Sequence, residues 1–122
     1  MKQDRTPRER PTTGQRKQEL LQQIRDYADA HLEEHITLQA VSSRFGVSVS
    51  TVTQLFQNRA NTSFHKFLTE RRMAAAEELI RRGIPLEEVG KRLGYTDHSS
   101  FYRAFRKQFG MSPRDYKSGK EE

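Results

Sequence analysis

From Leu20 to Tyr116 the apolar residues recur at three- and four-residue intervals, and no stretch alternates apolar with polar as a strand would. The pattern predicts an all-α protein of seven helices. Between about Lys17 and Glu34, Leu20, Leu21, Ile24, Tyr27, Ala28, His31 and Leu32 share one face and leave an acidic outer side. Thr37 suits the cap of a second helix whose Leu38, Val41 and Phe45 turn inward, and Gly46 suits the left-handed residue that stops it. Ser48 opens a third helix, to about Gln57, with Val49, Val52, Leu55 and Phe56 inside and Ser50, Thr53, Gln54 and Gln57 outside. A long fourth helix enters at Thr62 or Ser63 and runs to Gly83 through sequence rich in Ala, Glu and Arg, with Phe64, Phe67, Leu68, Ala75, Ala76, Leu79 and Ile80 available for packing. Pro85 belongs in the first turn of a fifth, with Glu87 and Glu88 near its positive end, Leu86, Val89 and Leu93 facing in, and Gly94 as its stop. From Asp97 a sixth helix places Phe101, Phe105 and Phe109 on one face, while Ser99, Ser100, Arg103 and Lys107 project from the other. Ser112, Pro113 and Asp115 form the start signal of a short closing helix that docks Tyr116.

An internal repeat organises these helices. Val41-Ser42-x-x-Phe45-Gly46-Val47 and Val89-Gly90-x-x-Leu93-Gly94-Tyr95 share the order apolar, small, two free positions, apolar, Gly, apolar. A small residue four before the glycine lets the next helix approach, and the glycine supplies a positive φ. After the turn, Val52 and Phe56 correspond to Phe101 and Phe105, with one extra residue in the second turn. Two helix-turn-helix units are thus expected, over about 37–57 and 85–109, joined by a linker helix over about 63–82 within a domain spanning 18–117. A helix held this way by a glycine turn can offer side chains to a DNA major groove. At 1.5 Å per residue a linker of roughly 20 residues is about 30 Å long, close to the roughly 34 Å between successive major-groove faces. That spacing suits an asymmetric site of two turns without a symmetric dimer, and a shorter one would require the DNA to bend.

Charge points toward a polyanionic partner by its distribution more than by its total of +6. Residues 1–17 hold six Lys/Arg against two acids, 18–58 two against five, and 59–122 fourteen against nine. Residues 1–17, with two prolines and no apolar period, read as a flexible basic arm or linker, and 118–122 as a disordered tail. No apolar run is long enough to span a bilayer, so no membrane partner is expected and a cytoplasmic, nucleoid-associated location is. The chain has no cysteine, which removes disulfides and thiolate metal sites.

From about Lys17 to Tyr116 the chain resembles the DNA-binding domain of AraC/XylS-type transcription regulators. Val89-Gly90, Leu93-Gly94-Tyr95, Asp97, Ser100-Phe101, Arg103, Phe105-Arg106-Lys107, Phe109-Gly110, Ser112-Pro113 and Tyr116 carry most of the signature. Phe67-Leu68, Arg72-Met73, Ala76 and Leu79-Ile80 carry the linker motif. Asn61, where the family usually has glycine, and Gly90, where alanine is common, depart from it. The resemblance implies a bilobed domain with its third and sixth helices in adjacent major grooves. It also implies base contacts at Ser50, Thr53 and Gln54, and at His98, Ser99, Ser100 and Arg103. The helical wheel exposes all of these except His98, which lies nearer the phenylalanine side and protrudes only by its place in the first turn. Many relatives carry a separate ligand-sensing or dimerising domain. No segment here could form one, which points to a fragment of a longer regulator, and activation is the commoner family outcome.

Arg103 can pair bidentately with a guanine edge, Gln54 can pair with adenine, and the serines and Thr53 can bond bases or phosphates. Arg59, Lys91, Arg92, Arg106 and Lys107 are the expected phosphate contacts. The third helix as read to Gln57 has no Lys or Arg, so the second unit is expected to supply more of the electrostatic affinity. His31-x-x-Glu34-His35 matches a zinc-enzyme pattern, but His31 falls on the apolar stripe and no structured third ligand accompanies it. No catalytic, metal or cofactor site is expected, and the isolated domain is expected to be monomeric on double-stranded DNA. The alternative function is a helical protein-interaction module whose basic face meets an acidic partner, RNA polymerase for instance.

Overall fold

The computed structural model describes residues 12–119. Its elements are α1 (Thr13–Ala30), α2 (Leu38–Phe45), α3 (Val49–Ala60), α4 (Phe64–Arg81), α5 (Leu86–Arg92), α6 (His98–Phe109) and α7 (Pro113–Lys117). Among the described residues there is no strand, and no helix is long and apolar enough to cross a membrane.

Local chemistry explains most boundaries. Thr37, Ser48, Ser63, Asp97 and Ser112 each accept, through the side chain, a backbone N–H of the following helix, satisfying a donor that has no partner inside the helix. Gly46 and Gly110 end α2 and α6 with φ of 69° and 76°. Asn61 ends α3 in the same left-handed region, at φ 55°, as an asparagine can.

Helix α1 differs from its sequence reading at both ends. It starts at Thr13 rather than about Lys17, so residues 13–17 of the expected arm are helical. Thr12 N–H donates to Gln15 Oε1 at 2.8 Å and Gln15 N–H donates to Thr12 Oγ1 at 3.0 Å, a reciprocal cap placed inside a polar stretch without apolar period. Residues 1–11 of the arm, and residues 120–122 of the expected tail, lie outside the described residues. At its other end α1 stops at Ala30, where His31 leaves helical geometry and its Nδ1 sits 2.8 Å from the Tyr27 carbonyl oxygen. His31 and His35 therefore do not stand one helical turn apart, as the zinc pattern requires. Among the described residues, no group of three or more His, Cys, Asp or Glu could hold a metal ion.

The described residues form two cores. Leu21, Ile24, Ala28, Ile36, Val41, Val52, Leu55 and Phe56 close the first with Phe64, Phe67 and Leu68 from the start of α4. Val89, Leu93, Phe101 and Phe105 close the second with Met73, Ala76 and Ile80 from the rest of α4. The linker helix thus changes core between Leu68 and Met73, and Leu32 packs against both. Ile36 and Met73 are core residues absent from the periodic reading, Ile36 because it lies between helices. Burying side chains such as Phe56 and Phe101 contributes about 1.5–3 kcal/mol each.

Candidate nucleic-acid interface

The repeat seen in the sequence is a repeat of backbone bonds. Val47 N–H donates to Ser42 O at 3.0 Å in the first turn, and Tyr95 N–H donates to Gly90 O at 3.1 Å in the second. Ser42 is buried, its hydroxyl donating to Gln39 O at 3.0 Å. At position 90 a Cβ would stand 3.3 Å from Cβ and Cγ of Phe101, so glycine brings α5 unusually close to α6.

Each turn leads into a helix anchored by its apolar stripe. Val52, Leu55 and Phe56 bury α3, and Phe101 and Phe105 bury α6, with Phe109 packed at the edge against Tyr116. The opposite faces stand in solvent. On α3 Ser50 and Gln54 are exposed and Thr53 is half-buried; on α6 His98, Ser99, Arg103, Arg106 and Lys107 are exposed.

Within α6 the candidate residues divide. Ser99, Arg103, Arg106 and Lys107 share the outer face, and among the described residues none of the three cations has an ion-pair partner. Ser100 is drawn into the cap, its N–H donating to Asp97 Oδ1 at 2.7 Å and its hydroxyl lying 3.3 Å from Oδ2. These bonds, with a smaller contribution from the Arg103 charge, hold the Asp97 carboxyl below its ordinary pKa. His98 sits apart from Arg103, beside Tyr102 and facing Pro85, Leu86 and Arg114 across an open cleft of about 320 Å³.

The cations expected at phosphates also differ. Lys91 is exposed and has no ion-pair partner among the described residues, whereas Arg92 Nε pairs with Glu88 at 3.2 Å one turn back, an exposed bond of the kind that contributes only about 0.3–0.5 kcal/mol. Arg59 corrects the reading of a third helix without Lys or Arg, because α3 continues to Ala60 and carries Arg59 in its last turn. Its guanidinium turns toward α1, donating to Gln18 Oε1 at 3.3 Å.

Two basic residues that the sequence reading left unassigned border the reading helices. Lys17 lines an open cleft of about 610 Å³ with Thr51, Gln54, Asn58 and Arg59. Lys66, in the first turn of α4, lines one of about 630 Å³ with Ser100 and Lys107. No local motif marks either one, since their position depends on how α1 and α4 cross their neighbours.

Comparison with known proteins agrees with this arrangement. A family described as a helix-turn-helix domain matches residues 41–119. YijO of Escherichia coli K12, described as an uncharacterised HTH-type transcriptional regulator, is 31% identical over 106 residues, which are 86% of this chain and 38% of that protein. LumQ of Photobacterium leiognathi, a probable transcriptional regulator, is 33% identical over 76% of this chain and 38% of its own length. The chain therefore spans about two fifths of these relatives, but 94% of the regulatory protein SoxS of Salmonella typhimurium, to which it is 26% identical. Among solved structures, the C-terminal domain of the response regulator AraT from Geobacillus stearothermophilus superposes with a TM-score of 0.79 at 28% identity, covering 84% of this chain and 87% of that one. The DNA-binding domain of AdpA, solved in complex with a target DNA, shares the fold with a TM-score of 0.76 at 24% identity over 81% of this chain and 90% of that one. With two glycine-turn units on one linker helix and a family match across both reading helices, the chain belongs to the AraC/XylS-type transcription regulators, of which it forms the DNA-binding domain.

Proposed function

We infer that the domain reads duplex DNA by laying α3 and α6 in successive major grooves on one side of the double helix. The observation that carries this reading is one device used twice. In each unit a helix capped by a side chain is fixed through its apolar face to a shared linker and turns a polar face to solvent. The AdpA domain of the same fold was solved with its target DNA, which supports the same use here. Ser50, Thr53 and Gln54 would read one groove and Ser99 and Arg103 the other. His98 and Ser100 act at the edge of the second, and Lys91, Arg106 and Lys107 hold phosphates, with Arg59 and Arg92 reaching theirs by giving up weak contacts. Two reading helices on one chain do the work of a symmetric pair, so the domain binds as a monomer in the cytoplasm, at an asymmetric site. RhaS of Salmonella schwarzengrund, 26% identical, is described as a transcriptional activator, and activation is the outcome we assign.

Selection of bound sequences from random duplex tests the reading. It should return two conserved blocks about one helical turn apart, bound with an affinity that falls steeply as salt rises. Equal, weak binding to every duplex would overturn it.

A further inference from the structure

The principal helix contacts join α1, α2 and α3 on one side and α5, α6 and α7 on the other, with α4 touching both. Each unit grips α4 through its own half of that helix, and the change of grip falls between Leu68 and Met73. Arg72 stands at this change. Its Nε donates to the Leu32 carbonyl at 3.2 Å and its Nη2 to the Glu34 carbonyl at 2.7 Å, both on the segment that leaves α1. Its guanidinium also lies 5.7 Å from the ring centroid of Tyr95, which packs on Phe101 in the first turn of α6. The Gly94 turn closes onto the same place, where a Cβ would stand 3.0 Å from Arg72 Nη2, 3.1 Å from Glu34 O and 3.2 Å from Leu32 O. The equivalent Gly46 has nothing within 4 Å of its would-be Cβ. The two turns share a conformation, but only the second is pressed against the other unit.

We propose that Arg72 is a positioning residue for two-groove reading, clasping the α1–α2 segment of the first unit to the α5–α6 turn of the second so that α3 and α6 keep one relative orientation. Its forked donors suit the task because they satisfy two carbonyls at once, and a lysine ammonium would act as a single point. Burial lowers the Arg72 pKa and raises that of Tyr95, as expected of groups held in a closed seam. A second polar link from α1 to α4, Arg71 with Asp29 at 3.2 Å, is exposed on both sides and contributes little. The benefit for DNA reading rests on the two-groove function inferred above, whereas the clasp itself does not.

The cysteine-free chain permits a direct test. Spin labels at Gln39→Cys on α2 and Lys117→Cys on α7 report the distance between units by pulsed electron resonance on DNA-free protein. The otherwise native chain should give one narrow distribution, and Arg72→Ala should lose it. Arg71→Ala should keep it. A purely stabilising role would lower the melting temperature and leave the folded protein's distribution narrow, and that result would overturn the proposal. Should Arg72→Ala fail to fold by circular dichroism, Arg72→Lys replaces it: a broadened distribution supports the clasp and a native width overturns it. The second arm uses the duplex selected with the wild-type chain and the same duplex with one base pair inserted between its blocks, which turns one block by about 34°. Wild type should lose about tenfold or more in affinity, and the Arg72 variant should bind the parent duplex more weakly but lose less on insertion. A spacing penalty equal to wild type's overturns the proposal. Indifference of the wild type to the insertion would instead overturn two-groove reading, leaving the clasp to be decided by the spin labels.

Discussion

At Arg103 and Lys107, two exposed cations one turn apart on α6, charge is equal and geometry differs. A guanidinium can hold both acceptors of a guanine edge in one rigid plane, whereas an ammonium on a flexible stem is a compact point charge, suited to the phosphate contact assigned to Lys107. Arg103→Ala is therefore expected to cost about 1–3 kcal/mol at the selected site and to relax preference at one position, and Lys107→Ala to weaken all duplexes alike and reduce the salt slope by about one. Parallel titrations on selected and scrambled duplex measure both, and unchanged base preference in Arg103→Ala would remove its assigned role. Asp97 caps the helix that carries this face. Its carboxyl accepts the N–H and hydroxyl of Ser100 and is held below the ordinary aspartate pKa. A folded pKa below the unfolded one means that the contribution is complete above the unfolded value, about 4, and is lost as pH falls through the lowered folded value. A carbon-detected NMR titration should show Asp97 ionising below that value, and Asp97→Asn, which still caps, should remove this part of the acid sensitivity. Titration at or above the ordinary value would contradict the cap assignment.

Helix ends were more legible than helix neighbours. The caps at Thr37, Ser48 and Ser112 and the stop at Gly46 stand where side-chain chemistry suggested, and Ser63 is one of the two residues expected to open α4, because each bond spans only a few residues. The start of α1 was missed because its reciprocal Thr12–Gln15 cap has no apolar period behind it, and the end was missed because Leu32 leaves the helical stripe to pack on both cores. The two turn glycines show how environment separates equal motifs. Gly46→Ala should cost about 1–2 kcal/mol, the strain of a left-handed alanine, since its Cβ would meet nothing. Gly94→Ala bears the same strain and also drives a Cβ onto two backbone carbonyls and Arg72, so its loss in denaturant-unfolding free energy should be clearly larger. Equal losses would show that the second turn relaxes freely.

At the scale of the molecule, α4 sets what the two units can reach together. Its 18 residues make it about 27 Å long, short of the roughly 34 Å between major-groove faces of straight DNA. The selected duplex is therefore expected to curve toward the protein when bound, as a gel-phasing assay would detect; a straight bound duplex would mean that the units splay apart. Sequence alone determined the helical class, the repeat, the apolar stripe of each reading helix and the polar residues opposite it. These follow from periodicity, capping chemistry and glycine's access to positive φ, all of which act over a few residues. It also carried the family, because the motif residues lie close together along the chain. Only the tertiary structure decided that α4 divides between two cores, that Ile36 and Met73 complete them, that Arg59 turns toward α1, and that Lys17 and Lys66 stand beside the reading helices. The same holds for Arg72, which joins carbonyls 40 and 38 positions away in the chain. The physical reason is distance: bonds that cross between elements depend on how whole helices pack, and no local pattern encodes that angle.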